Sequence, residues 1–167
     1  MAKNRIIIKG GTIKGAYVCG KVDIAIENER IAEVAENIVA TDNDELIDAS
    51  GLVVAPAFVD VHVHLREPGF GYKERIETGS RAAARGGYST VCPMPNLNPV
   101  PDNLENLQQQ LDIIERDACI EVLPYAAITT ARKGEELVDM AALPVWEPSW
   151  VQPSCWLPSK DRLSREC

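Results

Sequence analysis

Up to residue 56 the apolar positions come in short β-branched runs separated by turn residues. Beyond it, short apolar runs alternate with longer amphipathic ones. Residues 5–9, 22–26, 31–34, 45–48 and 52–55 read as strands, punctuated by Gly10-Gly11, Gly15, Gly20 and Ser50-Gly51. Asn28-Glu29, between Ile26 and Ile31, predicts a hairpin, although Asn-Gly would suit a tight turn better. Residues 1–56 thus predict a small β-sandwich-like unit whose edges need covering. From Ala57 the rhythm becomes strand, loop, helix. The pattern predicts a strand from Phe58, a helix over 73–85 stopped by Gly86-Gly87, and a strand over 88–92. A helix opened by an Asp102/Glu105 capping box follows, with Leu104, Leu107, Leu111 and Ile114 as its core stripe. A strand over 119–126 and a helix over 134–143 complete the series. Such alternation implies a parallel α/β sheet, and a full eight-unit barrel needs about 250 residues. Residues 57–143 therefore predict about three of eight units of an incomplete TIM-type barrel.

The stretch F-V-D-V-H-V-H-L-R-E-P-G at 58–69 carries the candidate chemistry. Side chains alternate along a strand, so Asp60, His62, His64 and Arg66 are expected on one face. Val59, Val61, Val63 and Leu65 are expected on the other, packed on helices. Histidines two apart on a strand have Cα atoms roughly 6.6 Å apart, within reach of one ion or a close ion pair. An H-x-H alone is a weak signal, because any half-exposed strand can carry two histidines. Here they are the chain's only two, Asp60 shares their face, and the run ends in a charged loop closed by Pro68-Gly69. Chemistry in such barrels sits at the C-terminal ends of strands. His62, His64 and Arg66 end the first strand, and Asn96 follows the second.

The formal net charge of −8 argues against nucleic acid or an anionic membrane as the main partner. No apolar run approaches the roughly 18 residues that span a bilayer, and the run at 6–8 is too short for a signal peptide. Five cysteines without a C-x-x-C pair read as reduced thiols in a cytoplasmic protein. Residues 144–167 hold all three tryptophans and four prolines and show neither a period of 2 nor one of 3.6. They read as a Trp/Pro-rich docking peptide or as an aberrant tail foreign to the fold, such as a frameshifted end; the second is the expectation.

D-A-S-G at 48–51, V-A-P at 54–56, the run at 58–69 and M-P-N at 94–96 together resemble bacterial dihydroorotases of the amidohydrolase superfamily. E-T-G at 77–79, A-A-A-R-G-G at 82–87 and L-P-Y at 123–125 extend the likeness over about residues 6–143. H-L-R-E-P-G with M-P-N separates the chain from hydantoinases and allantoinases. The resemblance implies a zinc enzyme of pyrimidine biosynthesis that reversibly interconverts N-carbamoyl-L-aspartate and L-dihydroorotate. It implies His62 and His64 as zinc ligands, with His64 also bordering the substrate, and Arg66 and Asn96 as holders of the substrate carboxylate. A planar guanidinium fork suits a carboxylate, and a metal pair with a bridging hydroxide suits amide hydrolysis.

The chain departs from the family at Ala57, where Gly is usual, and at Glu29, where a hairpin Gly is common. The family's T-D-D-G motif, its two later histidines and its catalytic aspartate have no counterpart in the 167 residues. No catalytic residue is therefore assigned. Asp60 is a candidate to orient a histidine ring. The expectation is an N-terminal part of the enzyme, truncated or frameshifted and inactive alone. The intact family member would be a homodimer or a partner of aspartate transcarbamoylase. The alternative is a non-catalytic fragment that scaffolds such a partner.

Overall fold

The computed structural model describes residues 5–15 and 19–143. The expected Trp/Pro-rich tail at 144–167 lies outside the described residues. The chain divides between Pro56 and Ala57 into two units. No helix among the described residues is long and apolar enough to cross a membrane.

The first unit is built on isoleucine-rich strands. β1 (Arg5–Lys9) is followed by β2 (Thr12–Lys14), β3 (Cys19–Lys21), β4 (Asp23–Glu27), β5 (Arg30–Ala35), β6 (Asp44–Asp48) and β7 (Val53–Val54). One sheet has the order β5-β4-β1-β6, antiparallel except for the β1–β6 pair; the second has the order β3-β2-β7. The β4–β5 hairpin turns at Asn28 and Glu29 with φ of 49° and 61°. Both are left-handed, the type I′ geometry that matches strand twist, even though the second residue is not glycine. Ile7, Ala25 and Ile38 form the core. At its margin the buried Asp23 carboxylate accepts from the Gly10 and Ile38 amides, each at 3.0 Å, and from Lys9 Nζ at 2.9 Å. Every polar atom of that carboxylate is matched, so its burial is tolerated.

The second unit alternates strands and helices. β8 (Phe58–Val63) leads through a loop to α1 (Ile76–Arg85), then β9 (Tyr88–Pro93), α2 (Leu104–Asp117) and β10 (Glu121–Val122). The three strands are parallel in the order β10-β9-β8. Phe58 pairs with Tyr88, Asp60 with Val91 and Val63 with Pro93, so both following loops leave at the same end. Leu65, Ile76, Val91 and Val122 form the core between sheet and helices. Helix α1 turns Ile76, Ser80 and Ala83 inward at i, i+4 and i+7. Gly79 leaves the space Leu65 occupies: a Cβ there would collide with Leu65 Cδ2. The Ser80 hydroxyl accepts from the Cys119 amide at 3.2 Å and ties α1 to the end of α2.

Several elements differ from the sequence expectation. Helix α1 starts three residues later than expected, because residues 70–75 are taken up by the turns of the preceding loop. Asp102 is not the cap of α2. Asn103 accepts from the Asn106 amide at 2.9 Å, while Asp102 binds the Asn103 and Asn106 side chains and the Ala131 amide. Leu104 is 49% exposed; Leu107 is buried, and so is Gln110. The third strand shrinks to two residues, and no helix forms over 134–143. There Ala131, Arg132 and Gly134 take left-handed φ, and a hairpin-like turn pairs Thr130 with Glu136 and Val138 with Ile128. The Asp139 carboxylate then accepts from the Ala141 and Ala142 amides, an alternative to helical bonding. Strands β2 and β3 are not predicted by the sequence pattern, because the glycines at 11, 15 and 20 interrupt such short runs.

The Asp23 carboxyl is lowered from 3.8 to about 2, first by the Lys9 ammonium and then by the Ile38 and Gly10 amides. Since the folded value lies below the ordinary one, this stabilisation is complete above about pH 4 and is lost as pH falls through about 2. Asp23→Asn is expected to lower the melting midpoint at pH 7 by roughly 5 °C and to flatten the acid side of a melting-versus-pH profile. An unchanged profile would contradict the assigned role.

Candidate active site

The parallel register of β8 and β9 sets two loops side by side. The ladder runs on past the strand ends, with the Met94 amide donating to Val63 O at 2.9 Å and the Tyr125 amide to Pro93 O at 3.1 Å. The Tyr125 hydroxyl donates to Val61 O at 2.9 Å, bracing β8 across β9. The second loop carries Asn96, and the first carries His64 and Arg66.

The His62 and His64 rings lie 5.3 Å apart at their centroids and are nearly perpendicular, at 75°. Both residues are exposed. His64 Nδ1 lies 3.0 Å from Asn96 Oδ1. An amide oxygen only accepts, so Nδ1 is the donor in this contact, which leaves Nε2 as the nitrogen able to face a cation. Second-sphere bonds of this kind orient metal-binding imidazoles. The face that the sequence pattern assigned to Asp60, His62, His64 and Arg66 holds only partly: the strand ends at Val63, and loop geometry places the last two. Asp60 orients no ring. Its carboxylate accepts from the His62 backbone amide at 3.0 Å.

Arg66 is half-buried, and among the described residues its guanidinium has no hydrogen bond or ion pair. Its backbone is held: Arg66 O accepts from the Phe70 amide at 2.9 Å. The neighbouring charge is committed elsewhere. Glu67 Oε2 accepts from the Ile76 amide at 2.8 Å, satisfying an open donor at the start of α1, and Glu67 Oε1 lies 3.5 Å from Arg75 Nε. The sequence pattern does not show this role, because Glu67 lies nine residues before the amide it binds. Among the described residues the positive charge of Arg66 is therefore unpaired, two positions after His64 in the same loop, and a free guanidinium suits an anion with planar oxygens.

The two loops are latched. Asn98 N donates to Pro68 O at 3.3 Å, and the Glu67–Pro68 and Asn98–Pro99 peptides are both cis. Gly69 has φ of +94° and lies so close to Asn98 that a Cβ would collide with the Asn98 carbonyl oxygen. Only glycine meets both conditions.

Cys92 is buried on β9, and Asp60 and Tyr125 act on it. Burial pushes its thiol up; the Tyr125 hydrogen bond opposes, and the Asp60 and Glu121 charges add to the rise. Cys92 thus stays protonated near neutral pH. Among the described residues no group of three or more His, Cys, Asp or Glu converges as a metal site. The two imidazoles fit as a pair of zinc ligands, but catalytic zinc uses three protein ligands, so the described donor set is incomplete.

The comparisons with known proteins bear on the family and the fold. The Dihydro-orotase-like family matches residues 51–147. The dihydroorotase of Staphylococcus aureus is 50% identical over 137 residues, covering 82% of this chain and 32% of that protein. Among solved structures, a D-hydantoinase (dihydropyrimidinase) from Thermus sp. has a TM-score of 0.64 at 34% identity, over 78% of this chain and 29% of that one. An L-hydantoinase (dihydropyrimidinase) from Arthrobacter aurescens has a TM-score of 0.69 at 23% identity, covering 74% and 28% of the two chains, and speaks to the fold alone. The chain belongs to the dihydroorotase-like family. It spans about a third of the length of the curated relatives it matches.

Gly69→Ala is expected to destabilise the chain by about 2–4 kcal/mol, from left-handed strain plus the collision with Asn98. Gly134→Ala, where φ is +77° but nothing lies within 4 Å of a Cβ, should cost only about 1 kcal/mol. Urea melts of the two variants compare these directly; equal losses would remove the latch from the account.

Proposed function

We propose that this chain carries the first strand–helix units of a dihydroorotase-type (β/α) barrel. It would then be part of a cytoplasmic cyclic amidohydrolase that interconverts L-dihydroorotate and N-carbamoyl-L-aspartate in pyrimidine biosynthesis. His62 and His64 would be zinc ligands, with His64 also bordering the substrate. Arg66 and Asn96 would hold the substrate carboxylate. The observation that carries this reading is the 3.0 Å contact between His64 and Asn96 at adjacent strand ends, with the unpaired Arg66 guanidinium in the same loop as His64. A dihydroorotase half-identical over most of this chain supports the substrate.

The residues divide the work by chemistry. Arg66 fixes a carboxylate through paired N–H donors. Asn96 holds His64 in the tautomer whose Nε2 faces outward and keeps its NH₂ donors for substrate. Zinc, once fully coordinated, would supply Lewis acidity at the amide carbonyl. With two histidines in its sequence, the 167-residue chain falls short of that coordination and is proposed to have no turnover alone.

A second reading, a non-catalytic scaffold for a partner such as aspartate transcarbamoylase, is favoured by one observation. The face of β8 expected under helices is open over its first part: Val59 and Val61 are 58% and 62% exposed, while Val63 and Leu65 are packed. Exposed apolar strands of this kind invite a partner. A stoichiometric complex with that enzyme on gel filtration, formed by a chain inactive in every context, is what the scaffold reading requires.

The experiment that separates them is a chimera in which residues 1–143 replace the matching part of the Staphylococcus aureus relative. The chimera should hydrolyse dihydroorotate, and the 167-residue chain should not. Within the chimera, His62→Ala should lose bound zinc. Asn96→Ala should keep it and raise KM about tenfold, the equivalent of about 1.4 kcal/mol. A zinc-loaded chimera without turnover would sink the enzymatic reading.

A further inference from the structure

We infer that Glu67 is the positioning residue for Arg66: by tying its loop to the first amide of α1, it sets where the Arg66 guanidinium stands. The inference rests on the reading of Arg66 as a carboxylate holder and adds to it the group that makes Arg66 competent. Arg66 forms no side-chain bond to the described residues, so nothing at its own tip fixes it. What fixes it is its backbone. On one side Arg66 O accepts from the Phe70 amide at 2.9 Å. On the other, the Glu67 carboxylate bridges the Ile76 amide at 2.8 Å and Arg75 Nε at 3.5 Å. That carboxylate is largely buried, with 16% of its side-chain surface exposed, and Gly71 leaves it room: a Cβ at Gly71 would lie 3.1 Å from Glu67 Oε1.

The charge arrangement points the same way. A carboxylate next in sequence to Arg66 could pair with it and cancel the site. Glu67 is instead held by the amide at the start of α1 and by Arg75, which leaves the Arg66 charge for a ligand. The helix thus serves as a clamp that keeps the acidic neighbour away from the basic one. A freed Glu67 would both loosen the loop and compete for Arg66.

The test uses the full 167-residue chain and NMR of the Arg66 Nε–H signal. Glu67→Ala removes both bonds; Glu67→Gln keeps an oxygen that can accept from the Ile76 amide. Without ligand, the Arg66 Nε–H order parameter should fall in Glu67→Ala and recover most of its value in Glu67→Gln. With N-carbamoyl-L-aspartate as the probe, Glu67→Ala should weaken binding at least tenfold, and in an Arg66→Ala background it should cause no further loss. A purely structural role would persist in that background. An unchanged order parameter, or a loss of binding that survives Arg66→Ala, overturns the inference. If the unsubstituted chain binds no probe while the order parameter still follows Glu67, the positioning role stands and the carboxylate-holder reading fails instead.

Discussion

The parallel pairing of Phe58–Val63 with Tyr88–Pro93 is the constraint on which the candidate site depends. A parallel register sends both following loops out at one end of the sheet, which no antiparallel pairing of neighbouring strands would do. The core of Leu65, Ile76, Val91 and Val122 holds that register from behind. Because Leu65 lies between His64 and Arg66 in sequence, its burial also anchors the start of the loop that carries them. The space for Leu65 exists only because residue 79 on the facing helix has no side chain.

From that base the loops are assembled by many small commitments and few strong ones. The Pro68–Asn98 bond, the close approach at Gly69 and the His64–Asn96 contact each join the first loop to the second. Glu67 joins the first loop to α1. The polar groups of the R-E-P-G run thus have opposite fates. The acid is consumed in holding the backbone, and the base is left without a partner. Among the described residues the Arg66 charge stays unpaired in the loop that also carries His64.

The motif-bearing parts of the chain were legible because their physics is local. Residues 5–9 form a strand over those five positions, and His64 and Asn96, from loops that follow neighbouring strands, come within 3.0 Å of each other. The failures share a cause. At 134–143 a helical composition lost to Gly134, to the left-handed Ala131 and Arg132, and to an aspartate that bonds its own backbone. At Asn103 the cap went to the neighbour of the expected residue, because Asp102 was drawn to the Ala131 amide 29 positions away. Long-range partners decide such contests, and no window of sequence contains them.

What the sequence determined by itself was the strand–helix alternation from Phe58 to Asp117 and the family to which the chain belongs. These follow from periodicity and from residue chemistry, which travel with the chain. Only the tertiary structure decided that Asp60 serves a backbone amide instead of a ring, that Glu67 belongs to a helix nine residues on, and that Val59 and Val61 stand open. Each of those outcomes is set by which neighbour reaches a hydrogen-bonding group or an apolar face first, and that is a property of the fold.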